Sequence, residues 1–121
     1  MIKTSNKTYD LEDRTLKFAI RVRKFLRKLP KTVSNIEDGK QVIKSSGSVG
    51  ANYIEANEAL SKKDFKHRIK ISRKEAKESS YWLRIIAWAN EQYINECRKL
   101  YQESHELLLI FSKILKSSKN K

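Results

Sequence analysis

KKDFKHRIKISRKEAKESSYWLRIIAWA, residues 62–89, runs from end to end without a Gly or a Pro. Projected at 100° per residue, Phe65, Ile69, Ser72, Ala76, Leu83 and Ile86 fall on one side, which is the signature of an amphipathic helix. Ser61, followed three residues later by Asp64, supplies a capping arrangement at its start, in a weak form because Asp stands where Glu would reach back better. A helix of this length spans roughly 40 Å.

The flanking segments repeat the pattern. Upstream, Asn35–Leu60 reads as a helix with Ile36, Val42, Ile43, Val49, Tyr53, Ile54 and Leu60 on its apolar side. Gly39, Gly47 and Gly50 weaken it by roughly 1 kcal/mol each relative to Ala and allow a start as late as Lys40. Before it, Asp10 is placed as the N-cap of a helix over 10–29, supported by Glu12 and Asp13 and ended by Pro30. Its stripe is Leu11, Thr15, Val22, Leu26 and Leu29. Downstream, Asn95 is expected to cap a helix over 95–116, with Cys97, Leu100, Tyr101, Leu107, Leu108, Phe111, Ile114 and Leu115 aligned. Residues 1–8 and 117–121 are expected to be flexible.

Four such helices with short links predict a single all-α domain over 1–121, an antiparallel up-down-up-down four-helix bundle. The 121-residue chain has three Gly and one Pro, and that sparse punctuation argues against a many-stranded or nucleotide-binding α/β fold. Phe18, Phe25, Ile71, Trp82, Leu109 and Ile110 fall off the main stripes, which predicts a second buried surface between subunits.

Charge is the other conspicuous feature. There are 27 Lys and Arg against 14 Asp and Glu, a net +13. On the first helix Lys17, Arg21, Lys24 and Lys28 form one ridge. On the third, Lys63, Lys66, Lys70, Arg73, Lys74, Lys77 and Arg84 form another, with Asp64, Glu75 and Glu78 opposite. A solvated helix face ordinarily mixes signs in i,i+4 pairs. One-sign ridges repel themselves and suit a polyanion, most simply nucleic acid bound through its phosphates. Tyr81 and Trp88 project near the second ridge, where they could stack on unpaired bases or pack between subunits.

Catalytic chemistry is not expected. His67 and His105 are on different helices with no activated nucleophile nearby, and the Glu55/Glu58 and Glu75/Glu78 pairs lack the Glu-x-x-His motifs of a di-metal bundle. Glu55 and Glu75 are expected to pair with Arg or Lys of neighbouring helices. Ser45-Ser-Gly-Ser-Val-Gly-Ala51 lacks the Lys-Ser/Thr and preceding strand of a phosphate loop, and the strands of a KH domain are missing. It reads as a small-residue helical segment that admits a close neighbour. No cofactor or metal is implied. With one cysteine, no signal-like N-terminus and no membrane-length apolar run, the expected location is cytoplasmic, away from the membrane.

Ser45-Ser-Gly-Ser-Val-Gly-Ala-Asn-Tyr-Ile-Glu-Ala56, Ser61-Lys-Lys-Asp-Phe65 and Lys74-Glu-Ala-Lys-Glu78 leading into Tyr81-Trp-Leu83 resemble, in order and spacing, the bacterial four-helix-bundle proteins encoded in intervening sequences of 23S ribosomal RNA genes. The resemblance spans about Tyr9 to Lys116. It implies a bundle commonly assembled as a homopentamer and without established catalytic activity, with RNA a more natural partner than DNA. A related branch, the accessory proteins of diversity-generating retroelements, is similar in fold and assists a reverse transcriptase. No catalytic residues carry over, and Asn52, Glu55, Glu75, Glu78 and Trp82 are read as architecture. The expected function is therefore a non-enzymatic nucleic-acid-binding oligomer; the alternative is a protein-interaction scaffold or accessory subunit, for instance of a reverse transcriptase.

Overall fold

The computed structural model describes residues 7–119 as four long helices: α1 (Lys7–Lys28), α2 (Val33–Asn57), α3 (Lys62–Ala89) and α4 (Ile94–Lys119), with one 3₁₀ turn at Glu91–Tyr93. No strand occurs among the described residues. α1 and α3 each pack on α2 and α4 and lie diagonally across the bundle.

Side-chain pairs establish that each neighbouring pair runs antiparallel. The Asn57 amide donates to Glu12 while Arg23 reaches the Ile43 carbonyl between α1 and α2. Ser72 Oγ donates to the Val49 carbonyl and Ser79 Oγ meets Ser45 Oγ between α2 and α3. Between α3 and α4, Ser80 Oγ meets Ser104 Oγ, and the Cys97 thiol donates to the Leu83 carbonyl. Buried hydroxyls thus find acceptors, and their small size keeps the helices close.

The core is built from Phe18, Val22, Phe25, Val42, Val49, Ile69, Leu83, Ile86, Leu107 and Phe111, all fully buried. Tyr53 and Phe111 meet in a tilted pair with centroids 5.8 Å apart. Phe18 and Phe25, which the spacing assigned to a subunit contact, are only 1% exposed and lie inside this core. Leu11, Thr15, Phe18, Val22, Phe25 and Leu29 follow one another in steps of four and three, so both rings lie on the same stripe as Thr15 and Val22. Ile71, Trp82 and Ile110 are half-buried, and of that off-stripe set only Leu109 is exposed.

The reverse correction applies to α2. Ile36, Ile43, Ile54 and Leu60 were expected inside and are exposed, Leu60 at 98%. Small residues took their places: Gly39, Ser45, Ser46 and Ala56 are buried along α2. A Cβ at Gly50 would stand 2.7 Å from Thr15 Oγ1 and 3.0 Å from Thr15 Cβ, so α1 crosses there closer than any side chain on α2 would permit. The small-residue reading of 45–51 is thereby correct.

Helix ends also shift. Ser61 caps α3 as expected, its Oγ accepting from the Asp64 amide. α2 begins at Val33, earlier than Asn35 or Lys40, because Thr32 Oγ1 accepts from the Asn35 amide, a cap worth about 1 kcal/mol. It stops at Asn57, short of Leu60, where Glu58 and Ala59 tighten into i→i−3 bonds before the chain reverses. Asp10 lies within the first turn of α1 and is not its N-cap. Asn95 caps nothing, since the 3₁₀ turn feeds directly into α4. Of the segments expected to be flexible, 7–8 and 117–119 are helical, while 1–6 and 120–121 lie outside the described residues.

Asn90, which closes α3, is buried against Asn35. Each amide donates to the other, at 2.8 and 2.7 Å, and the two Nδ2 groups also reach the Pro30 and Ile86 carbonyls. This amide pair closes the end of the bundle where the α1–α2 and α3–α4 links meet.

Candidate functional site

α3 turns one continuous line of side chains to solvent: Lys63, His67, Lys70, Lys74, Lys77, Tyr81, Arg84 and Trp88, every one exposed. Steps of three and four residues keep such a set on a single face, opposite the buried stripe of Ile69, Ser72, Ala76, Leu83 and Ile86, so that Glu78, expected on the far side, is instead exposed one turn beyond Lys74 at the edge of the line. Lys66 and Arg73, also expected on this ridge, are half-buried on its flank. Among the described residues, none of these α3 cations lies within 4.0 Å of a carboxylate, the ion pairs present being formed by Arg14, Lys17, Lys28 and Lys40.

The α1 ridge is different. Lys17 Nζ is 3.0 Å from Asp13 and Lys28 Nζ is 2.8 Å from Glu96 of α4, so two of its four cations already have partners, and among the described residues Arg21 and Lys24 have no carboxylate within 4.0 Å. The expectation that both ridges stay unneutralised therefore fails for α1. Asp13 sits one turn before Lys17, and Glu96 is brought to Lys28 only by the antiparallel packing of α4. α1 and α3 are diagonal, so the two ridges lie on non-adjacent helices of the chain, with Lys28 turned toward α4.

Further cations escaped the sequence reading. Arg98, Lys99, Lys113 and Lys116 are exposed on α4, and the Ser80–Ser104 register puts the last two at the same end of the bundle as Lys63, Lys66 and Lys70. Their i,i+3 spacing was visible, but the apolar residues around them drew attention to the core stripe instead. Arg14 was also missed. It forks onto Glu103 at 2.7 and 2.9 Å and reaches Glu106 at 2.6 Å, joining α1 to α4, the least extensively packed of the neighbouring helix pairs. Hydrogen bonding to Glu103 raises the Arg14 pKa further.

The acids expected in interhelical ion pairs do not form them. Glu55 is exposed, and Glu75 is half-buried without a cation within 4.0 Å among the described residues. Burial, then the neighbouring Glu78 charge, pushes the Glu75 carboxyl above its usual value, with Lys74 and Lys44 opposing. Glu103 and Glu106, unremarkable in sequence, hold the interhelical arginine. Asn52 instead accepts from Arg68 Nη1 at 3.0 Å and donates to the Ser48 carbonyl at 2.9 Å, tying α2 to α3. Burial raises the Cys97 thiol to about 11, with Glu96 adding to the shift. An inert buried thiol is the result.

Among the described residues no three His, Cys, Asp or Glu side chains gather closely enough to hold a metal ion, and no helix is long and apolar enough to cross a membrane. A groove of about 690 Å³ opens between the N-terminal part of α1 and the C-terminal part of α4, floored by Leu11, Tyr53, Phe65, Ile110 and Ile114 and edged by Asp10, Arg14 and Lys113. Asn57, Ser117 and Ser118 complete its lining.

Comparison with known proteins agrees with this architecture. A crystal structure from Bacteroides thetaiotaomicron VPI-5482, described as a protein of unknown function from the S23 ribosomal protein family, is 31% identical, with a TM-score of 0.76. The match covers 87% of this chain and 97% of that one. None of the curated proteins compared with the chain matches it. The family model for the 23S rRNA-intervening sequence protein matches residues 7–117, essentially the whole described bundle, and the chain belongs to that family.

Proposed function

We propose that the protein is a non-enzymatic nucleic-acid-binding bundle that holds RNA by its phosphate backbone along the outward line of α3. The carrying observation is that Lys63, Lys70, Lys74, Lys77 and Arg84 share one exposed face with no carboxylate partner among the described residues. Self-repelling cations of this kind are neutralised by phosphates, with release of the counterions condensed on the nucleic acid. The family's association with ribosomal RNA genes makes RNA a more natural partner than DNA. Nothing on the line resembles an array of Asn, Gln and Arg poised for base edges in a groove, so binding is weakly selective for sequence.

Assembly multiplies these contacts. The exposed apolar residues Leu16 and Ile20 of α1 and Ile43 and Ile54 of α2 favour association with further chains, the homopentamer of the family resemblance being the expected form. The same residues favour a second reading, in which the bundle is an accessory subunit docking on another protein such as a reverse transcriptase.

A labelled structured RNA titrated at several salt concentrations tests the first reading. Binding should weaken steeply with salt, with log affinity linear in log salt concentration. No binding at low salt, or indifference to salt, defeats it. Recovery of one specific protein in a pull-down after nuclease treatment would favour the second reading. Light scattering gives the subunit count.

A further inference from the structure

The C-terminal half of the α3 line differs from its N-terminal half. From Lys63 to Lys77 it is wholly polar and mostly cationic; beyond Lys77 it continues as Tyr81, Arg84 and Trp88. Trp88 is 81% exposed and Tyr81 58%, large aromatic surfaces left in water on a strongly cationic face. An exposed indole in an otherwise charged setting is unusual, since Trp is highly buried on average.

The local geometry is that of a platform. Tyr81, Arg84, Ile85 and Trp88 surround a shallow concavity of about 340 Å³. The half-buried Trp82 meets the Tyr81 ring edge-on, with centroids 5.1 Å apart and planes at 77°, which holds that ring while leaving much of it open. Arg84 stands between the two rings along the helix, and its planar guanidinium can both stack and meet a phosphate.

We infer that Tyr81, Arg84 and Trp88 form a stacking site for unpaired bases, so that the nucleic acid preferred by this face is a single strand or a duplex–single-strand junction, its phosphates running on toward Lys77, Lys74 and Lys70. The inference rests on the nucleic-acid reading above and specifies its substrate. Bases inside a duplex are stacked on both faces and cannot present them to an aromatic ring, whereas every unpaired base can, irrespective of sequence. Charge and aromaticity lying in one line along a rigid helix is the arrangement a single strand requires: a cationic track for its backbone and flat surfaces for its bases. A second copy of this chain meeting the site through its own α3 line is a poorer occupant, because it would bring the same cations against these; a copy meeting it through a different face is what the assembled mass below detects.

The test uses the full chain. Trp82→Phe leaves Trp88 as the sole tryptophan, and its emission is followed while an unstructured polypyrimidine RNA, or a fully paired duplex of equal length, is added. The single strand should quench Trp88 and the duplex should not. Trp88→Ala should weaken single-strand binding about tenfold and leave duplex binding within about twofold, with Trp88→Phe retaining most of the affinity. Equal losses for strand and duplex, no loss for either, or unchanged Trp88 emission at saturation would overturn the stacking site while salt-dependent binding by the lysines survives. A change in assembled mass for Trp88→Ala by light scattering would also overturn it, placing the ring in a contact between copies. Failure of the unaltered protein to bind either nucleic acid at low salt removes both readings together.

Discussion

α1 and α3 are both strongly basic and lie diagonally across the bundle, yet their cations are employed differently. On α1, Arg14 grips Glu103 and Glu106, Arg23 binds the Ala19 and Ile43 carbonyls, Lys17 meets Asp13 and Lys28 meets Glu96. On the outward line of α3 no cation has such a partner among the described residues. One helix uses much of its charge to hold the bundle together; the other turns it outward. Changing α1 should therefore cost stability, and changing α3 should cost binding.

The largest expected effect is the combined substitution K70E/K74E/K77E. Three phosphate contacts become three repulsions, so affinity for structured RNA at low salt should fall about a hundredfold or more, and the slope of log affinity against log salt should decrease by about 2 to 3. The midpoint of thermal unfolding should hold or rise, because the ridge no longer repels itself. R21E/K24E, the free remainder of the α1 ridge, should change affinity by less than about fivefold. Equal losses from the two variants would break the distinction between the helices.

Next in size is Arg14→Ala. It leaves Glu103, whose side chain is only 15% exposed, without its two-pronged donor, and should destabilise the fold by about 1 to 3 kcal/mol in chemical denaturation. RNA affinity should be unaltered. Smaller again is Gly50→Ala. Helix propensity would favour the added methyl by about 1 kcal/mol, but the Cβ would press on Thr15, so strain of about 1 to 3 kcal/mol should leave a modest net loss. Thr15→Ala in the same chain removes the Oγ1 at 2.7 Å but keeps the Cβ at 3.0 Å, and should restore only part of the loss.

These cases show how much could be read before the fold was known. The period of α3, its Ser61 cap, its exposed line and the close approach at Gly50 are local properties of spacing and residue size, and they were legible. The fate of α1's charges was not, because Glu96, Glu103 and Glu106 are distant in sequence and meet Lys28 and Arg14 only through antiparallel packing. The places of Phe18 and Phe25, expected at a subunit contact, were by contrast legible, since steps of four and three from Leu11 to Leu29 set both rings on the one buried stripe of α1. Ile36, Ile43 and Ile54 erred the other way, since apolarity marked them as core while Gly39, Ser45 and Ser46 were small enough to take the inward positions.

Acid titration gives the smallest effect and the most specific one, because two carboxyls should move stability in opposite directions. Glu106 is held below its ordinary value of 4.5 by hydrogen bonds from Gln102 and Arg14. Its charged form favours the fold above 4.5, and that contribution is lost as pH falls through the depressed value. Glu75 lies on α3, where burial and Glu78 raise its pKa, so its charged form disfavours the fold and protonation on acidification removes the penalty. Melting curves from neutral pH to about pH 3 should therefore show the unaltered protein losing its advantage over Glu106→Gln and recovering its deficit against Glu75→Gln, with both variants meeting it at the acid end. Both shifts should be small, and added salt should shrink the Glu106 effect more, since that carboxylate is the more open to solvent. If Glu106→Gln were at least as stable as the parent at neutral pH, the charged carboxylate would not favour the fold and the part of Arg14's role that runs through Glu106 would fail; if Glu75→Gln were the less stable, the penalty assigned to burial of Glu75 would fail instead.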